Sequence, residues 1–391
     1  TAANTGFGEG WGPGVNPGAY GGAFAQSTIA GNPNIKPEIK TEIEGGLDLG
    51  FVKDRINLGF TYYTNTTDDL IISVVQPSST GFTSQIANAA TIENKGIELE
   101  VDFGIIDNND LKFNIYGNFT RNRNEVTEMV GTESLFLAGF SGGSSRAVVG
   151  EQLGVLFAGT WARDASGNLD LDENGFPQLG ATSGVIGDPN PDWRAGVGGL
   201  LNYKGFSLNF LFDHSEGGDI WNGTRGALAY FGRAESTGVT TTLTSDQANN
   251  LKIFTGKTVA EQYPFWQNSD GSYTVRGEIK DYGAGQVFID EQFYRTGPGS
   301  GFTGPEEAFV EDATWTRLRE VTLSYNFGNN LTNWLRGASL SLTGRNLFLW
   351  TDYQGNDPDT NLTGAGQNGF GLDYFNNPGT RTYKVTLNLN F

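Results

Sequence analysis

The chain offers few side chains able to do covalent chemistry, and their spacing decides against most of it. Its 391 residues contain no Cys and a single His. Without thiols there is no disulfide framework, no thiolate metal site and no cysteine nucleophile. The imidazole, His214, stands between Asp213 and Ser215. A nucleophilic triad needs its three side chains linked by hydrogen bonds, whereas neighbours in a strand point to opposite faces. His214 therefore reads as a lumen or loop histidine, and no enzyme is expected. Asp170, Asp172, Asn174 and Gly175 match the opening of a calcium loop, where oxygen ligands alternate and Gly makes the turn. The Glu required at its twelfth position is replaced by Ala181. A solvated hairpin is the preferred reading of this stretch, with Ca2+ as the alternative and no other cofactor expected. The aromatics Trp221, Tyr230, Tyr263, Trp266 and Tyr353 fall in long polar connections. Such rings could stack on sugars or grip a peptide, so these five are the expected substrate contacts. Ordinary loop packing is the reading for most rings of this kind, a set that also includes Phe231, Phe265, Phe302, Tyr374 and Phe375.

The elements that carry these residues have a period of two. Ile43, Leu47, Leu49 and Phe51 alternate with Glu42, Glu44, Asp48 and Gly50. Ile97, Leu99, Val101 and Phe103 alternate with Glu98, Glu100 and Asp102. Tyr383, Val385, Leu387, Leu389 and Phe391 repeat the pattern at the carboxyl end. In a strand this puts all the apolar side chains on one face. Short turns at 52–55, 107–110, 204–205 and 328–336 alternate with long connections at 66–92, 222–313 and 352–379, so the long ones share one end. Aromatics gather near strand ends: Tyr62, Tyr63, Trp193, Trp334, Trp350 and Tyr383. Short turns at one end, long loops at the other and an aromatic girdle are the features of a transmembrane barrel. No run approaches the roughly 20 apolar residues of a spanning helix. The net charge of −19, from 25 basic against 44 acidic residues, removes a nucleic-acid partner. Aromatics at 13% remove disorder. Strand directions require an even number of strands within 125–191, and two are expected, near 147–161 and 169–180. The expectation is an all-β, antiparallel transmembrane β-barrel portion of about eleven strands, an odd set that cannot close alone. Residues 1–37 are expected to be an extracellular loop segment, and 38–391 the barrel half with its long loops.

Several short stretches, in order, carry a resemblance. Asn32-Pro33-Asn34-Ile35-Lys36-Pro37-Glu38 is followed by Glu42 and Gly46-Leu47-Asp48. Further on stand Glu93-Asn94-Lys95-Gly96-Ile97-Glu98, Gly187-Asp188-Pro189-Asn190-Pro191-Asp192-Trp193 and Gly217-Gly218-Asp219-Ile220-Trp221-Asn222. The series ends with Arg317-Leu318-Arg319-Glu320, Gly344-Arg345-Asn346-Leu347-Phe348 and Gly355-Asn356-Asp357-Pro358-Asp359. Together they resemble the barrel of TonB-dependent outer-membrane receptors, and more narrowly the SusC/RagA group. The loop at 222–313 departs from it.

The resemblance implies the C-terminal half of a roughly 22-stranded plugged barrel in the outer membrane of a Gram-negative bacterium, surrounded by outer-membrane lipid. It implies active import of an oligosaccharide or peptide with a SusD-like surface lipoprotein over the long loops. Energy would come from the TonB complex through an N-terminal plug, expected upstream. Glu38 and Glu42 are the positions carried over as plug contacts. Phe391, a terminal aromatic, resembles the signal read by the barrel assembly machinery. A receptor for a metal chelate and a secreted carbohydrate-binding β-sandwich are the alternatives.

Overall fold

The computed structural model describes residues 28–140, 142–329, 337–363 and 369–391. Most of the expected loop segment 1–37, together with Trp334 and the turn around it, lies outside the described residues. The chain forms two compact units. One comprises 1–104, 116–136 and 147–153; the other comprises 105–115, 137–146 and 154–391.

In the first unit the alternating stretches become long antiparallel staves. These are β2 (Ile39–Phe51), β3 (Ile56–Val75), β4 (Ser84–Asp107) and β5 (Leu111–Met129), with a short β1 (Ile29–Ala30) parallel to β4. The tip of the β4–β5 hairpin, 105–115, belongs to the second unit. Register carries the alternation across neighbours: Leu47, Phe60 and Leu99 are partners, and so are Asp48, Gly59 and Glu100. One face is thus apolar, and the acidic ladder occupies the other. β2 has β3 as its one neighbour among the described residues, and every residue of β2 is exposed. The expected long connection at 66–92 is mostly strand. β3 has 20 residues and β4 has 24, about twice the 9–11 a membrane crossing needs. The connection itself is confined to 76–83.

In the second unit β6 (Ser134–Gly139), which begins in the first unit, leads to β7 (Gly143–Val148), β8 (Val155–Trp161) and β9 (Leu179–Gly187), where β7, β8 and β9 pair in turn. The staves resume with β10 (Trp193–Tyr203) and β11 (Phe206–Glu216), joined through Lys204, which takes a left-handed φ of 53°. Next come β12 (Asp219–Asn222) and α1 (Gly223–Tyr230), then β13 (Thr240–Leu243), α2 (Ser245–Asn250) and α3 (Val259–Gln262). β14 (Tyr273–Arg276), β15 (Glu278–Asp281), β16 (Gln286–Ile289), α4 (Glu291–Arg295) and β17 (Val310–Asp312) complete the excursion. The wall then continues as β18 (Trp315–Asn329) and β19 (Gly337–Thr351), followed by β20 (Leu372–Asp373) and β21 (Thr382–Asn390). β11 pairs β18, β18 pairs β19, and β19 pairs β21.

The strand count is a correction. The strands found within 125–191 belong to a separate sheet, and 169–180 holds one turn at 173–175 between isolated bridges, with β9 starting only at Leu179. Parity demanded an even number of staves there, and zero satisfies it. Among the described residues the first unit has four long antiparallel staves, β2 to β5, and the second has five, β10, β11, β18, β19 and β21, where about eleven were expected in all. Among the described residues no helix is long and apolar enough to cross a membrane, which says nothing of a barrel.

Candidate functional site

The wall of the second unit has two chemically distinct faces. Leu208, Leu323, Leu342 and Val385 lie in one register row, and Asn209, Thr322, Thr343 and Lys384 in the adjacent one. In the apolar row Leu323, Leu342 and Val385 are exposed, at 46%, 49% and 70%, and Leu208 is partly so. On the polar face Thr322 and Thr343 hydroxyls meet at 2.9 Å, and Arg345 donates to Glu320 at 2.8 Å.

A bulge breaks this regularity near the top of β18. Register shifts on both sides of the strand fall at Arg319. A bulge of this kind re-aims a side chain. Here Arg319 reaches Asp213 at 2.6 Å and Asp359 at 3.5 Å. Arg317, almost wholly buried, donates to Asp357 at 2.6 Å. Trp315 lies against both guanidinium groups, 5.1 and 5.5 Å from its ring. Two of the quoted motifs, Arg317-Leu318-Arg319 and Asp357-Pro358-Asp359, thus meet as one ion-pair cluster that ties the segment after β19 to the wall. A second junction joins two more. Asp219 N–H donates to Asp188 O at 2.7 Å, and Asp188 N–H donates to the Asp219 carboxylate at 2.8 Å. Gly217 and Gly218 permit the turn with φ of 71° and 82°. Burial holds the Asp219 carboxyl above its ordinary range.

The expected loop 222–313 is a folded insert. Leu243, Ala248, Ile253, Val259, Val275 and Phe288 form one core, and Phe176, Val287, Ile289 and Phe293 another. Thr244 and Thr258 make capping boxes that start α2 and α3. Asp290 starts α4: its Oδ1 accepts from Gln292 N and Phe293 N, while Oδ2 accepts from the Tyr263 hydroxyl at 2.8 Å. Burial raises the pKa of Asp290, and burial with this hydrogen bond raises that of Tyr263. Two cavities open in the insert, of about 460 and 340 Å³.

The aromatics singled out from sequence separate into three groups. Trp221 and Tyr353, expected as substrate contacts, are both buried here. Trp221 packs with Leu156, Phe309 and Leu372 and stacks on Tyr374 at 6.1 Å. Tyr353 donates to Asp373 at 2.5 Å, and burial together with that bond raises its pKa. Tyr263 is tied to Asp290. Tyr230 lines the larger cavity, beside Phe231 and Phe302 at 5.2 Å each. Trp266 is 60% exposed, next to Phe265 at 97%.

Glu38 accepts a hydrogen bond from Ile71 N at 2.8 Å, and Glu42 pairs with Lys40 at 2.5 Å. Phe391 is exposed just past β21. Asp213, His214 and Ser215 form no triad. Asp213 holds Arg319, and His214 meets Thr316 at 2.8 Å and Glu216 at 2.9 Å beneath the Trp193 ring. In the calcium-like stretch Asp172 Oδ1 accepts from Asn174 N and Phe176 N, the work of a turn residue. Asp170, Asp172 and Asn174 join no cluster of three ligating acids or histidines among the described residues.

A family described as TonB dependent receptor-like, beta-barrel, matches residues 2–153. The TonB-dependent receptor P3 of Formosa agariphila is 27% identical over 378 residues, covering 88% of this chain and 33% of the relative. The TonB-dependent receptor SusC of Bacteroides thetaiotaomicron is 26% identical over 365 residues, covering 88% of this chain and 31% of the relative. Over residues 2–153 by the family match, and over most of its length by these relatives, the chain is similar to the TonB-dependent receptor β-barrels. Its fold matches the RagAB peptide transporter structure with a TM-score of 0.65 at 21% identity, over 96% of this chain and 38% of that one. A barrel of this family lies in the outer membrane of a Gram-negative bacterium, which accounts for the exposed apolar rows. The soluble β-sandwich is set aside on the same ground. The chain spans about a third of the length of the curated relatives it matches.

Proposed function

We propose that this TonB-dependent barrel segment serves the import of an oligosaccharide or peptide, working with a SusD-like surface lipoprotein. The observation that carries the reading is the insert 222–313, a cored and cavity-bearing body that leaves the wall after β11 and returns in the paired neighbour, β18. A wall that only sealed a channel needs no such body, and long ordered excursions of this kind are usually functional. The relationship to SusC and the likeness to the RagAB fold favour an importer with a lipoprotein over a metal-chelate receptor. In this reading the TonB complex supplies energy through the plug, and Glu38 and Glu42 face plug arginines. Tyr230 and Trp266 are the aromatics left to meet substrate or partner, and Phe391 serves recognition by the barrel assembly machinery.

The test is co-purification and uptake. Phe265→Ser with Trp266→Ser removes two exposed rings without touching either core. Loss of a co-purifying lipoprotein, with the barrel still assembled, is the expected result. Retained lipoprotein would move the docking surface elsewhere, and unchanged growth on every glycan and peptide after gene deletion would defeat the import reading. Phe391→Ala should slow outer-membrane assembly and leave uptake per assembled copy unchanged.

A further inference from the structure

The two cavities of the insert share Ala229, Ser236, Glu278, Ile289 and Tyr294 in their linings. Both volumes fall within the roughly 300–1,000 Å³ of small-ligand pockets. At this junction three charged side chains are already committed. Asp290 is consumed by the start of α4 and by Tyr263. Arg225 is held by Glu311 at 2.6 Å and by Ala308 O at 3.1 Å. Arg276 donates to Thr237 O at 2.6 Å. Lys280, two residues along β15, has its ammonium 5.8 Å from the Tyr282 ring centre. Glu291 and Arg295 are exposed on the lining of the larger cavity.

Glu278 is different. It is half-buried on the lining of both cavities, and no hydrogen bond or ion pair engages its carboxylate among the described residues. Tyr282 and Tyr294 stand close enough for its charge to raise their pKa values, although burial is the larger cause. Neither phenol has a hydrogen-bond partner among the described residues. A partly buried carboxylate with no partner on a cavity wall leaves its charge open to a ligand cation. Set among tyrosine rings, it matches one chemistry well: the carboxylate pairs with a cation, and the ring faces attract it further.

We propose that the joined cavities are a binding site for a primary ammonium group of the imported nutrient, with Glu278 as its counter-ion and Tyr282 and Tyr294 around it. The proposal deepens the import reading and rests on it. The ammonium can come from a peptide amine or from an amino sugar, and the same pocket chemistry serves both.

The test is calorimetric titration of the purified full-length receptor with triglycine, N-acetyl-triglycine, a glucosamine trimer, an N-acetylglucosamine trimer and maltotriose. The free amine of at least one pair should bind about tenfold or more tightly than its acetylated form, and the pair that discriminates identifies the source. Glu278→Gln should erase that discrimination while the insert keeps its resistance to protease. Tyr294→Phe should weaken amine binding less than Glu278→Gln does. Equal binding of free and acetylated forms by the unaltered receptor would overturn the proposal without any variant, as would discrimination that survives in Glu278→Gln. Failure here leaves the import reading intact if gene deletion still abolishes uptake of some nutrient. Loss of the import reading would show as unchanged uptake whatever the pocket binds.

Discussion

The staves of the second unit and the insert between two of them are built from the same apolar residue types, with opposite exposure. Tyr383, Val385 and Leu387 on β21 are 75%, 70% and 59% exposed, whereas Leu243, Ile253 and Phe288 in the insert are at 0%. The staves alternate because their apolar face has lipid as its solvent and their polar face has water or protein. The insert closes on itself because its solvent is water alone. One chain therefore obeys two solvation rules, and the boundary between them runs through the junctions at Arg317–Asp357 and Asp188–Asp219.

The difference can be broken at several points. Phe288→Ala should cost the insert about 3–5 kcal/mol, as deletion of a buried aromatic does. The insert should become sensitive to protease while the barrel keeps its heat-modifiable mobility on gels. Loss of both together would show that insert and wall fold as one. Asp357→Ala leaves buried Arg317 with only Asp359, 3.9 Å away, and about 3 kcal/mol should be lost. Protease cutting within 352–379, measured against denaturant, reads this effect. Leu342→Arg should destabilise the barrel by about 2–4 kcal/mol if the residue sits near mid-membrane, while Thr343→Arg on the next position should stay within roughly 0.5 kcal/mol. Equal costs in refolding titrations would reverse the assignment of the two faces.

Alkaline pH sharpens the same contrast. Tyr263 and Tyr353 have raised pKa values in the folded protein. Their contribution is complete below about pH 10, where unfolded tyrosine still holds its proton. It declines as pH rises above that value, because the unfolded state ionises first. Denaturant midpoints of the insert and the 352–379 segment should fall between pH 9 and 11, and Tyr353→Phe should flatten the slope for the latter. The smallest effect belongs to Asp172→Ala, which removes two turn hydrogen bonds and should cost about 1 kcal/mol. That cost should be the same with and without added calcium.

Much of the wall was legible from alternation alone. The alternating stretches Ile43–Phe51, Ile97–Phe103 and Tyr383–Phe391 fall in β2, β4 and at β21, because lipid on one face enforces the pattern. The upper halves of β3 and β4 were missed: above the membrane Thr66, Thr67, Asp68 and Asp69 need no apolar face, so the signal ends before the strand does. The strand expected at 169–180 was a false reading of Leu169 and Leu171 between aspartates, where Asp164 and Asp172 close successive turns. The burial of Trp221 and Tyr353 is not legible locally, because a polar neighbourhood in sequence hides a buried one in space. The cavity groups Glu278 and Asp290 carried no local signal, since the insert's core joins Leu243 to Phe288 across distant sequence. Arg317 and Asp357 both stood in quoted motifs, but nothing in either motif revealed that they meet.

The insert leaves and rejoins the wall beside one point, where Ser215 and Trp315 are register partners. Lengthening, shortening or replacing what lies between them changes no stave's register and no lipid-facing row. Such a graft point uncouples wall from insert. Lipid on one face constrains the staves, while the body between Ser215 and Trp315 meets no such constraint.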